Sequence, residues 1–268
     1  MFDKWLKPQD VDQPEGLLEY QLLADGGLLD DDELIGQLGH EVMRNYLAPG
    51  ELANVFDDLG APEVAGYLRV NKFPVDRKIR HGDFGEIVTG ALYRKVRRWC
   101  VPVLKLRYKQ TPAQAVQGTD VLAFRFRQDP PAIAVPEVKT RASRDNRVGE
   151  EAYDSLEKVL GRLDESITFL MARCNERGQV FLARRLGALL REPGRRQVER
   201  HMLFVHDAKT WKEDIVAGLG AKVTQRTELT VVKIEALREF IGRVYDAAET
   251  APGSTTSSGK GNGTAGTA

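Results

Sequence analysis

Residues 118–140, GTDVLAFRFRQDPPAIAVPEVKT, read as two strands over 118–127 and 132–139, joined by the turn Gln128-Asp129-Pro130-Pro131. Both stretches are alternating or continuously apolar, as buried strands are. Asp120 stands at the start of the first strand, and Glu137 and Lys139 close the second. Side chains at i and i+2 share a strand face, so Glu137 and Lys139 point together while Val138 points away. An apolar hairpin carrying an aspartate and then Glu-x-Lys offers what a divalent-metal phosphodiesterase site needs.

Upstream, Asp83-Phe84-Gly85-Glu86 leads into Ile87, Val88, Leu92, Tyr93 and Val96, the apolar stripe of an amphipathic helix. This reading puts Glu86 in the first helical turn and the basic cluster 94–98 at the far end. Residues 101–108 are apolar and β-prone and read as a strand, with Lys105, Arg107 and Lys109 on one face. Downstream, residues 140–149 form a polar loop with Arg141, Arg144 and Arg147. A long helical pattern spans 150–177, with Gly161 as a point of kinking or close packing, and a second helix spans 179–191. Residues 201–206 read as a strand beside 132–139, 211–219 as a helix, 230–234 as a strand and 235–248 as a closing helix.

The front of the chain has a different character. Residues 1–30 read as loop with a short strand at 17–23, followed by helices over 32–46, 49–59 and 62–68. The expected organisation is an acidic helical N-terminal region (1–76), an α/β domain (77–249), and a Gly/Ser/Thr tail (250–268) too poor in apolar residues to fold. Residues 1–66 hold fifteen acidic residues against Lys4, Lys7 and Arg44, a net of −12, so a neutral chain carries +12 in the remainder. Ten basic residues fall within 77–109, opposed there by Asp83 and Glu86 alone. Such segregation suggests a polyanion-binding body with an acidic appendage; segregated solvated faces are the ordinary alternative. No apolar run reaches the roughly 20 residues of a membrane span. The first residues lack the apolar core of a signal peptide, and two cysteines do not make a disulfide framework. A cytoplasmic protein is expected.

The order is thus helix with Glu86, strand, strand with Asp120, strand with Glu137-x-Lys139, helix, strand. It resembles the αβββαβ core of the PD-(D/E)XK nuclease superfamily over residues 83–206. The resemblance implies that Glu86, Asp120, Glu137 and Lys139 are catalytic, and that Glu86, Asp120, Glu137 and the Val138 carbonyl hold Mg²⁺ or Mn²⁺. Oxygen ligands suit those ions. Pro136 departs from the pattern: without an N–H it requires an edge or a bulge just before Glu137. Each residue also has a plainer role open to it. Glu137 and Lys139 could be a solvated pair, Asp120 a turn residue and Glu86 a first-turn helix stabiliser, with Asp83 competing for the upstream position.

With the flanks included, Gly82-Asp-Phe-Gly-Glu86, Val101-Pro-Val-Leu-Lys105, Gly118-x-Asp120 and Glu137-x-Lys139 resemble HamA, the effector-nuclease family of the Hachiman anti-phage system. That resemblance spans nearly the whole chain and implies a DNA nuclease restrained by a partner helicase (HamB-like). DNA would follow Arg94, Lys95, Arg97, Arg98, Lys105, Arg107 and Lys109, with Arg141 and Arg144 beside the site. Nothing reads as a base-recognition module, so little sequence specificity is expected. There is no P-loop, and any use of ATP falls to a partner. Ser155-x-x-Lys158 lies mid-helix without the companion motifs of an acyl-enzyme, and the four histidines have no metal-ligand spacing. The rival reading is a non-catalytic DNA-binding or regulatory subunit that keeps the nuclease fold.

Overall fold

The structure, a computed structural model, describes residues 2–48, 50–51, 54, 61–114 and 119–250. Its strands, in chain order, are β1 (Leu6–Gln9), β2 (Leu18–Asp25), β3 (Ala123–Arg125), β4 (Ala132–Arg141), β5 (Gln197–Asp207) and β6 (Thr227–Ile234). The helices are α1 (Phe2–Trp5), α2 (Asp31–Tyr46), α3 (Ala61–Asn71), α4 (Arg77–Lys95), α5 (Val148–Leu160), α6 (Leu163–Glu176), α7 (Val180–Arg191), α8 (Asp214–Lys222) and α9 (Leu237–Thr250). Gly118, most of the helix expected at 49–59, and the tail beyond Thr250 lie outside the described residues.

The strands form one sheet in the order β1-β2-β6-β5-β4-β3. The four inner strands run parallel, and β1 and β3 close the two edges antiparallel. Burial on both faces of a parallel strand explains the unbroken apolar run Met202–Val205 of β5. On one face, Leu203, Val205, Val232 and Ile234 pack under α1–α4 and α9. On the other, Ile133, Val135, Met202, Phe204 and Val231 pack under α5–α8. The α/β class expected from the sequence is what the chain adopts.

Four details differ from that expectation. The first 76 residues are not purely helical, because β1 and β2 belong to the same sheet as β4–β6. Residues 101–108 are not a strand: they shrink to one bridge, Cys100 to Phe124, and a 3₁₀ turn over Lys105–Tyr108. Pro102 cannot donate to a ladder, and Val103, Leu104 and Leu106 are buried without one. The helix expected over 150–177 is two, α5 and α6, broken at Gly161. Finally, α4 starts at Arg77, where the Asp76 side chain accepts from the Lys78 N–H at 2.7 Å. Glu86 is therefore mid-helix, which removes its reading as a first-turn stabiliser.

Candidate active site

The site lies where β3 ends and leaves one edge of β4 unpaired. β3 pairs with Ala132–Ala134 only, so from Pro136 onward one edge of β4 is open. Asp120, in the turn before β3, covers that edge: its Oδ2 accepts from the Val138 N–H at 3.2 Å. Strand geometry puts N–H groups of residues 136 and 138 on the same side, so the N–H that Pro136 lacks would have pointed at this gap. No ladder hydrogen bond is lost. The requirement for an edge at Pro136 is met locally, inside a sheet. The Val138 carbonyl points to the same open edge as its N–H.

Two faces of the sheet contribute to this edge. Glu137 and Lys139 continue the row of Ile133 and Val135, with Lys139 Nζ 2.8 Å from Glu137 Oε1. Val138 and Thr140 face the other way, against α4 at Gly85. That close approach brings Glu86, the next residue of the helix, to the site. Lys105, at the head of the 3₁₀ turn, stands between the two sources of charge. Its Nζ is 3.9 Å from Glu86 Oε2 and 3.7 Å from Asp120 Oδ1.

The electrostatics tie the carboxylates together. Burial pushes the Glu86 carboxyl well above its ordinary value, and the Asp120 charge pushes it further, against Lys105. Burial also raises Glu137, again with Asp120 as the leading repulsive charge, opposed by Lys139 and Lys105. Asp120 thus acts on both carboxyl groups.

This donor set fits a hard divalent cation. It is all oxygen; Glu86 Oε2 is buried with no hydrogen-bond partner; and an ammonium group is already held between Glu86 and Asp120. As the side chains stand, no three His, Cys, Asp or Glu residues among those described converge closely enough to hold an ion. Lys105 and Lys139 supply the positive charge there instead.

Most of the expected DNA-contacting residues have partners within the chain. Arg94 and Lys95 both pair with buried Glu41. Arg97 pairs with Glu228 and donates to Thr230 at 2.8 Å. Arg107 donates twice to the Arg44 carbonyl, at 3.0 and 2.7 Å, and burial brings its pKa down to about 10. Lys109 is buried on Asp83, which also accepts from Tyr46 Oη. Asp83 therefore belongs to a core network and does not compete with Glu86. Arg98 is exposed. Arg141 pairs with Asp145 at 3.0 Å and with Glu151 at 3.4 Å, and Arg144 with Asp214 at 2.7 Å. These last pairs are solvent-accessible and weakly held.

The reading by residue type overlooked Lys105 as a site residue, counting it instead among the DNA contacts. Its spacing, fifteen residues before Asp120 and after a proline, gave no sign of its direction. The acidic front also pairs with the basic body within the chain. Besides Glu41, Glu19 pairs with Arg226 and Asp31 with Arg243.

The model of the family described as HamA matches residues 1–248 of the chain. No curated protein matches it. Among the described residues, no helix is long and apolar enough to cross a membrane.

Proposed function

The chain belongs to the HamA family, a component of Hachiman-type anti-phage defence, and from that premise we propose that it is a metal-dependent DNA nuclease. The observation that carries the reading is the open edge of β4, where Asp120 acts on buried Glu86 and Glu137 with Lys139 alongside. Glu86, Asp120, Glu137 and the Val138 carbonyl would hold Mg²⁺ or Mn²⁺. Such an ion supplies Lewis acidity and a bound water of lowered pKa.

The chain's own residues do the rest. Lys139, fixed against Glu137, meets the charge that develops on the phosphate as a point charge, or orients the attacking water. Lys105 stands between Glu86 and Asp120 and must give way to a bound cation. Arg98, Arg141 and Arg144 contribute phosphate contacts that ignore base sequence. Control by a partner helicase is part of the proposal and is supported by family membership and by the absence of a P-loop in this chain.

A second reading, a regulatory DNA-binding subunit with a disused site, is favoured by the placement of Lys105 and Lys139 against the carboxylates. Plasmid nicking separates the two. Cleavage that needs Mg²⁺ or Mn²⁺ and disappears in Glu137→Ala supports the nuclease. No cleavage by wild type under any divalent cation, with the cognate helicase and with damaged or single-stranded ends supplied, supports the regulatory subunit.

A further inference from the structure

A second groove lies at the opposite end of the β3–β4 hairpin, on its outer edge. It encloses about 740 Å³ and is lined by Arg98, Arg125, Arg127, Arg185, Phe126 and Phe181 among others, with no carboxylate in its wall among the described residues. Arg98, Arg125 and Arg127 are exposed. None of Arg125, Arg127 and Arg185 forms an ion pair with a carboxylate among the described residues. Arg125 lies over the Trp99 ring, 4.3 Å from its centroid. Arg185 donates to the Phe126 carbonyl at 2.9 Å and lies over the Phe181 ring at 5.0 Å. Asp3, itself exposed, lies within electrostatic reach of Arg98.

The aromatic residues are as unusual as the charge. Phe181 is 72% exposed at the start of α7, although it is one of the largest apolar side chains on the surface. Arg185 covers one side of its ring and leaves the other to solvent. Phe126 stacks parallel on buried Phe124, with centroids 5.1 Å apart, and is itself only partly buried. Guanidinium groups spaced along a groove suit a chain of phosphates, and open aromatic faces suit unpaired bases, which every nucleotide offers regardless of sequence. A duplex keeps its bases stacked inside and has no use for Phe181. A carboxylate-rich peptide would use the arginines and leave the rings idle.

We propose that this groove binds an unpaired nucleic-acid strand, with its bases on Phe181 and Phe126 and its phosphates on Arg98, Arg127 and Arg185. The groove and the candidate active site belong to the same hairpin. Phe124 is opposite Ile133, four residues before Glu137, a run of roughly 13 Å at strand rise. The inference rests on the nuclease reading for its substrate class: the enzyme would take a strand with a single-stranded portion, such as a frayed or unwound end.

The test is fluorescence anisotropy with a labelled oligothymidylate of about 12 nucleotides, within the usual site sizes, and a blunt duplex of the same length. A chelator is present, so that binding is read without cleavage. Phe181→Ala should weaken oligothymidylate binding roughly five- to hundredfold and leave duplex binding essentially unchanged, and Phe181→Trp should restore it. Phe181 is exposed, so neither variant threatens the fold. Arg127→Glu should weaken oligothymidylate binding at low salt and make its loss with rising salt shallower than in wild type. Unchanged oligothymidylate affinity in Phe181→Ala overturns the proposal, as does equal competition by a polyglutamate peptide, which would make the groove a site for acidic protein. Because binding is measured without metal, this result is independent of whether Glu137→Ala abolishes cleavage.

Discussion

Thr140 Oγ1 stands in the space that a side chain at Gly85 would need. Val138 Cγ1 would also lie 3.0 Å from a Cβ there. Helix α4 can therefore rest directly on β4 only because residue 85 has no side chain, and Glu86 reaches the open edge as a result. Gly85→Ala should force the helix away from the strand, at a cost of about 1–3 kcal/mol for overpacking. The expected outcome is a lowered Tm together with reduced cleavage. Gly82→Ala, on an exposed turn of the same helix with nothing within 4 Å of the added Cβ, should instead stabilise by about 0.5–1 kcal/mol. Thermal melts of the two variants side by side check both signs.

Glu137→Ala and Lys139→Ala should each reduce plasmid cleavage at least about a hundredfold, equivalent to roughly 2.7 kcal/mol of transition-state stabilisation. Near-UV circular dichroism should remain that of the folded protein. A variant that cuts at the wild-type rate would remove its residue from the site.

Glu86 links cation binding, pH and stability. Its folded pKa is raised, mainly by burial, so the folded state holds a proton that the unfolded state has released. Stability in chelator should be fully present below about pH 4.5, near the ordinary glutamate value, and should decline as pH rises towards the raised folded value. Mn²⁺ should restore Tm at neutral pH by binding the folded state alone. Glu86→Gln should flatten the pH dependence and abolish the Mn²⁺ effect. Calorimetry across pH 4–8, an interval of roughly ordinary working conditions, reads all three.

Lys109 should behave as a core residue. Removing it leaves Asp83 buried and facing Tyr46 without its cation. Lys109→Ala should cost about 3–5 kcal/mol, visible as a lower urea midpoint. The folded fraction should bind DNA as wild type does. Lys109→Met with Asp83→Asn should recover much of the loss. A Lys109→Ala protein of normal stability and weakened DNA affinity would return Lys109 to the binding surface.

Much of the architecture around the site can be read along the chain. The hairpin around Asp129-Pro130, the parallel strand at 201–206 and the closing helix each follow from local periodicity and turn residues. Glu137 and Lys139 share one face because register along a strand is a local property. Asp120, expected at the start of a strand over 118–127, instead lies in the turn before a β3 that spans only Ala123–Arg125. What could not be read depends on partners distant in sequence. Lys105 looks like any lysine on a basic stretch until Glu86 and Asp120 are placed on either side of it. Arg94 and Lys95 seek Glu41, over fifty residues earlier, and charge counting along the chain has no access to that pairing. The start of α4 was obscured by Arg77-Lys-Ile-Arg-His-Gly82, which has little apolar periodicity, so the helix could be traced only from Asp83. Strand β2 shows its apolar character, but nothing nearby says that its neighbour is β6.

That last pairing has a consequence for how the protein comes into being. Leu18 is matched to Thr227 and Ala24 to Lys233, so two adjacent inner strands are separated by nearly the whole length of the chain. A ribosome has synthesised β2 long before β6 emerges to receive it. Contacts of such long range also make closure slow compared with local hairpins. Premature termination between Lys139 and Ile234 would therefore yield a polypeptide that carries Glu86, Asp120, Glu137 and Lys139 but lacks a completed sheet. For a protein proposed to cut DNA inside the cell that makes it, this topology withholds an assembled site until translation is nearly finished.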